Sequence, residues 1–193
     1  MRLIKTLSPI VANYRLGISA TCIPDMNDLR YIANYPEPIK AKIQQLIAQD
    51  KLAELLLTRY PQTHTIQNSK ALYSYIMDLK NQFMRKSGPL SKVIYDDKLD
   101  VLHQALGLHS FVVRVQGSKL KAKNEIRIGA VFKRAPIDFL RMISVHELAH
   151  IKEKQHDKAF YKLCEHMEPD YQQLEFDTRL YLTYLDHFGE LYV

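Results

Sequence analysis

Cysteine is scarce in this chain: two in 193 residues, Cys22 and Cys164, far apart. That excludes a disulfide framework, and no Cys-x-x-Cys pair exists to hold a metal. Glycine (6) and proline (8) are too few for a fibrous or low-complexity protein, and no internal repeat is present. Nowhere do about 18 apolar residues run together, so no membrane span is expected. The first residues look superficially like a signal peptide, but Lys5, Asn13 and Arg15 break the apolar run. The cytoplasm is therefore the expected compartment.

What is present is the composition of a globular protein, 47% hydrophobic and 25% charged. A chain of this length buries about 70% of the surface its unfolded form exposes. The net charge of +6 permits an anionic partner without requiring one. Lys and Arg are spread along the chain, and the densest stretch is Lys119, Lys121, Lys123, Arg127, Lys133 and Arg134. It reads either as an anion-binding rim or as a solvated hairpin tip.

Hydrophobic periodicity predicts the elements. Residues 1–36 are irregular, with a candidate strand at 18–23. Ile39, Ile43, Leu46 and Ile47 share one helical face, and Leu52, Leu55 and Leu56 extend the run to about Arg59. Asn68 or Ser69 caps a second helix that buries Leu72, Tyr75, Ile76, Leu79 and Phe83. Residues 87–89 end it, and a short helix is expected at 97–106. Residues 111–115 and 125–132 read as two strands of a hairpin around a loop at 116–124. Pro136 and Asp138 open a helix running to about Lys152. Asp157 caps the next, with Phe160, Leu163, Cys164 and Met167 along one stripe. A last helix starts at Pro169 and Asp170 and ends at Gly189. The expected class is α+β, mostly helical with a small antiparallel sheet, divided into a mainly helical region 1–95 and a domain 96–193.

One segment carries chemistry. His146-Glu147-x-x-His150 falls inside a predicted helix. Residues four apart share a helix face, with Cβ atoms about 6 Å apart. Two imidazoles so placed converge on one metal, each nitrogen about 2.0–2.1 Å from it. Glu147 then sits where a carboxylate takes a proton from a water that the metal activates, as general base. A catalytic zinc usually has three protein ligands and an open position. Glu153 shares the face but lies about 10 Å along the axis from His146, so the third ligand must follow a turn. His156, just before the Asp157 cap, is the best placed. His166 is the next choice, then Glu165 or Glu168. Tyr161, Tyr171, Tyr181 and Tyr184 are candidates for stabilising an oxyanion. His64, His103, His109 and His187 lack ligand spacing.

The run from Val145 to His150, then Gln155-His156-Asp157-Lys158-Ala159-Phe160, then Glu168-Pro169-Asp170-Tyr171 closely resembles the YgjP-like metallopeptidase-like family, relatives of the SprT-type proteases. The match covers roughly residues 106–186. The resemblance implies a minimal zincin-like fold, Zn2+ held by His146, His150 and His156, and Glu147 as general base. Three departures stand out. Only Gly117 and Ser118 survive of the family's Arg-Trp-Gly-Ser-Cys hairpin stretch. Phe160-Tyr161 replaces Phe-Trp. The usual β-rich, Arg-rich beginning is absent from the first ~95 residues, so substrate selection can differ from relatives.

The leading expectation is a zinc-dependent hydrolase acting on a peptide or protein. The resemblance also raises nucleoside triphosphate pyrophosphohydrolysis on the same site, with Lys121 and Lys123 holding phosphates. A third reading is a non-catalytic, metal-stabilised module that binds nucleic acid, its coordination closed by a fourth side chain such as His166 or Glu153.

Overall fold

The computed structural model describes residues 29–99, 108–116 and 119–192, with backbone alone described between 108 and 123. The candidate strand at 18–23, Cys22 and most of the helix expected at 97–106 lie outside these residues.

A short 3-10 turn at Arg30–Ile32 leads into α1 (Glu37–Ala48), α2 (Leu52–Arg59) and α3 (Ser69–Phe83). The helical run expected from Ile39 to Arg59 is two helices, because Asp50 takes a left-handed conformation with φ 60°. Neither glycine nor proline marks this break. Aspartate tolerates that region because its short carboxylate can bond locally. Asn68, rather than Ser69, caps α3: its side chain accepts from the Ala71 amide at 2.9 Å. Leu72, Ile76 and Leu79 are buried on one face, as their spacing requires.

β1 (Leu90–Asp96) follows at once, where the sequence suggested no strand. β2 (Leu108–Gln116) and β3 (Lys119–Gly129) form the hairpin. The loop expected at 116–124 is shorter, since strand pairing continues from Leu120 opposite Val115 to Lys119 opposite Gln116. The sheet has the order β1-β3-β2. It is mixed, not antiparallel throughout: β2 runs antiparallel to β3, but β1 runs parallel to it, with Val93 opposite Ile126 and Tyr95 opposite Ile128. That parallel pair comes from outside the hairpin and spans the boundary drawn at residue 95.

Residues 130–132, expected to continue the strand, form a 3-10 turn at Ala130–Arg134 before α4 (Ile137–Ala149). α5 (Lys158–Met167) and α6 (Tyr171–Phe188) complete the chain. α4 is the centre, touching β3, α3, α5 and α6. α6 also carries α2 and the first 3-10 turn. The class is α+β, mostly helical. Among the described residues no helix is long and apolar enough to cross a membrane.

Candidate metal centre

α4 is apolar on nearly every side: Phe139, Leu140, Met142, Ile143, Val145, Leu148 and Ala149 are all buried. A helix that is hydrophobic all round belongs in the core. His146 and Glu147 are buried on it too, which demands partners for their polar atoms.

The helix ends at Ala149, earlier than the expected Lys152. His150 occupies the C-cap with helical angles, φ −62° and ψ −15°. Its four-residue relation to His146 therefore survives. The chain then folds back: the Glu153 amide bonds the Ala149 carbonyl at 2.9 Å. Three residues further on stands His156, directly before Asp157. The Asp157 carboxylate caps α5, accepting from Ala159 and Phe160 amides at 2.9 and 3.1 Å. His156 is thus fixed between a helix end and a helix start.

The three Nε2 atoms converge. His146 and His150 stand 3.3 Å apart, His146 and His156 3.2 Å, His150 and His156 3.1 Å. A tetrahedral ion with nitrogens at about 2.0–2.1 Å holds them about 3.3 Å apart, so this donor set fits a metal. The far side of one ring fixes which nitrogen carries the proton. His150 Nδ1 lies 3.0 Å from the Glu153 carbonyl, which can only accept. Its hydrogen is therefore on Nδ1 and its Nε2 offers a lone pair. His146 Nδ1 lies 2.7 Å from the Tyr171 hydroxyl.

Phe160 supplies the apolar floor. Fully buried, its ring centroid lies 5.0, 4.7 and 4.7 Å from those of His146, His150 and His156. Burial holds the His146 pKa well below its ordinary value, helped by His150 and His156. Burial also lowers that of His150. Both shifts favour the neutral rings that bind metals. Burial alone pushes the Glu147 carboxyl up to about 8. Its Oε2 is sealed from solvent and has no hydrogen-bond partner among the described residues. A nearby cation would lower that pKa again.

The other third-ligand candidates are engaged elsewhere. His166 packs edge-on against Phe83, with ring centroids 5.8 Å apart. Glu165 accepts from Gln172, and Glu168 pairs with Arg141. Among the described residues His146, His150 and His156 are the group able to hold a metal. Lys121 and Lys123 lie on β3 rather than in a loop, opposite Arg114 and Val112. Their side chains are outside the described set. Arg127, Lys133 and Arg134 of the same stretch are paired: Arg127 with Asp96 at 2.9 Å, Lys133 with Asp97 at 3.5 Å, and Arg134 with Glu190. Tyr171 meets the Nδ1 edge of His146, away from the three converging Nε2 atoms, and Tyr181 packs on Phe139 and Tyr192. The parts of Phe160 and Tyr171 were not readable as such, although the motifs containing them were noticed.

The sequence model of the YgjP-like metallopeptidase domain matches residues 91–178. A protein of Escherichia coli (strain K12), named UTP pyrophosphatase, is 58% identical over 160 residues, covering 83% of this chain and 96% of that one. The chain belongs to the YgjP-like family. The matched YgjP-like segment begins inside β1 and ends within α6, enclosing the three histidines, Glu147, Phe160 and Tyr171. No solved structure matches this YgjP-like chain.

Proposed function

We propose that this protein is a zinc-dependent hydrolase that splits nucleoside triphosphates, UTP foremost, into nucleoside monophosphate and pyrophosphate. The observation that carries the reading is the 58% identity to the relative named UTP pyrophosphatase over nearly all of that protein's length. The three converging imidazoles supply the chemistry. The peptidase expected first has the helix motif and the family's description behind it, but the nucleotide alternative has a related enzyme behind it. The nucleic-acid module needs a fourth side chain at the ion. His166 packs on Phe83 instead, and among the described residues the group able to hold a metal is His146, His150 and His156, without Glu153.

His146, His150 and His156 hold the ion. A divalent ion there supplies positive charge for the phosphoryl oxygens and acidifies water. Glu147 accepts one proton from the attacking water. The water oxygen bonds to the α-phosphorus, the Pα–O bond to the bridging oxygen breaks, and that oxygen leaves with pyrophosphate. Phe160 seals the inner side of the three rings. The net charge of +6 draws a polyanionic substrate toward the molecule. Lys121 and Lys123 are assigned to the phosphates, and the cytoplasm supplies such substrates.

The test measures UMP and pyrophosphate release from UTP by zinc-loaded protein, with a peptide library in parallel. Glu147→Gln is expected to retain metal while losing about 10²–10⁴-fold in turnover. Charge reversal at Lys121 and Lys123 is expected to raise KM for UTP. Peptide cleavage without UTP hydrolysis overturns the nucleotide assignment, and full activity of E147Q removes the general base.

A further inference from the structure

We infer that Tyr171 is the positioning residue for the buried ligand His146. The inference rests on the metal centre proposed above.

For His146 Nε2 to offer a lone pair, its proton must sit on Nδ1. The atom facing Nδ1 is the Tyr171 hydroxyl, 2.7 Å away, with the two rings nearly parallel at 19°. Tyrosine therefore accepts from the imidazole, and its own O–H must point elsewhere. Tyr171 is fully buried and His146 is 8% exposed, so solvent is poorly placed to substitute for the hydroxyl. The direction of the bond follows: imidazole to phenol. Outer partners of metal-bound histidines fix tautomer and orientation, and their loss typically costs 10–100-fold in metal affinity.

The arrangement also separates a positioning role from a merely structural one. Without metal, His146 can move its proton to Nε2, where the His150 and His156 nitrogens stand 3.3 and 3.2 Å away as acceptors. Removing the Tyr171 hydroxyl then leaves no buried donor unpaired. With metal bound, that escape is closed, and Nδ1–H is stranded. Loss of the hydroxyl should therefore weaken metal binding far more than it weakens the metal-free fold.

Zinc and cobalt dissociation constants are measured by chelator competition on the full chain, with urea unfolding of the metal-free protein alongside. Tyr171→Phe is expected to weaken binding by about 10–100-fold, to shift the visible absorption of the cobalt form, and to leave the metal-free urea midpoint close to the parent's. A Y171F constant within twofold of a metal-binding parent overturns the positioning role alone, as does an equal loss of metal-free stability. A parent that takes up no divalent metal overturns that role and the centre together. UTP turnover enters none of these readouts, so the positioning role stands or falls apart from the substrate assignment.

Discussion

Phe160 shows how one apolar residue governs three polar ones. Its ring touches all three imidazoles and has no solvent exposure. Phe160→Ala leaves a cavity in place of that floor, and such changes cost about 3–5 kcal/mol. The expected result is a lowered thermal midpoint together with weakened metal binding, read by calorimetry and chelator competition. Phe160→Leu, which keeps most of the volume, should lose much less of both. His64 gives the residue scale a pH dependence. It is buried between α2 and α3, with Nδ1 accepting from the Ile66 amide at 3.0 Å and Nε2 donating to the Phe132 carbonyl at 2.8 Å. Burial lowers its pKa below the ordinary 6.5, with the Phe132 bond opposing. The folded state therefore binds this proton less readily than the unfolded state does. The His64 contribution is complete above about 6.5 and is lost as pH falls from there through the folded value. Urea midpoints between pH 7 and 5 should fall less steeply for His64→Gln than for the parent, and parallel slopes would remove His64 from the account.

Among the elements, α5 depends on its first residue. The Asp157 carboxylate satisfies two amides of the opening turn, and Asp157→Ala is expected to cost about 1 kcal/mol. Because His156 is the adjacent residue, the same change should also loosen the third ligand, so metal affinity and urea midpoint are predicted to fall together. The cap, the i, i+4 stripes of α3 and α5, and the spacing of the three histidines were all readable in the sequence, because each is a local pattern. β1 was not. Its apolar residues do not alternate regularly, a Ser-Gly-Pro stretch precedes it, and its partner β3 lies some thirty residues downstream in parallel pairing. The division between α1 and α2 escaped for another reason: it rests on one aspartate with positive φ and on no breaker residue. Tyr171 was one of four tyrosines considered for an oxyanion, yet its place depends on packing against a ring twenty-five positions earlier, which no periodicity reports.

At the scale of the molecule, the helices before residue 90 are bound to the matched segment by specific contacts. Arg59 donates to both Asp177 oxygens at 3.0 and 2.9 Å, and Tyr60 adds a bond of 2.7 Å. The Arg179 guanidinium reaches the Tyr31 carbonyl at 3.1 Å, and α3 packs on β1. We propose that these parts unfold together. A fragment 96–193 lacks all of β1 but its last residue, leaves nearly all of one side of β3 unpaired and uncovers α6. It is expected to show no cooperative thermal transition by circular dichroism, whereas the full chain should unfold in a single step by several probes. A fragment that melts cooperatively would make residue 95 a true domain boundary.

All three imidazoles come from one short segment, 146–156, with its first member anchored in the central helix. An ion held there would close a small loop, not a long one, and small loops cost little entropy to close. Stripping a bound metal should therefore unravel a neighbourhood and spare the scaffold: amides at 150–158 are expected to exchange with deuterium faster after chelation, while those of α6 keep their protection. A protein built this way would release a metal and take it up again without refolding.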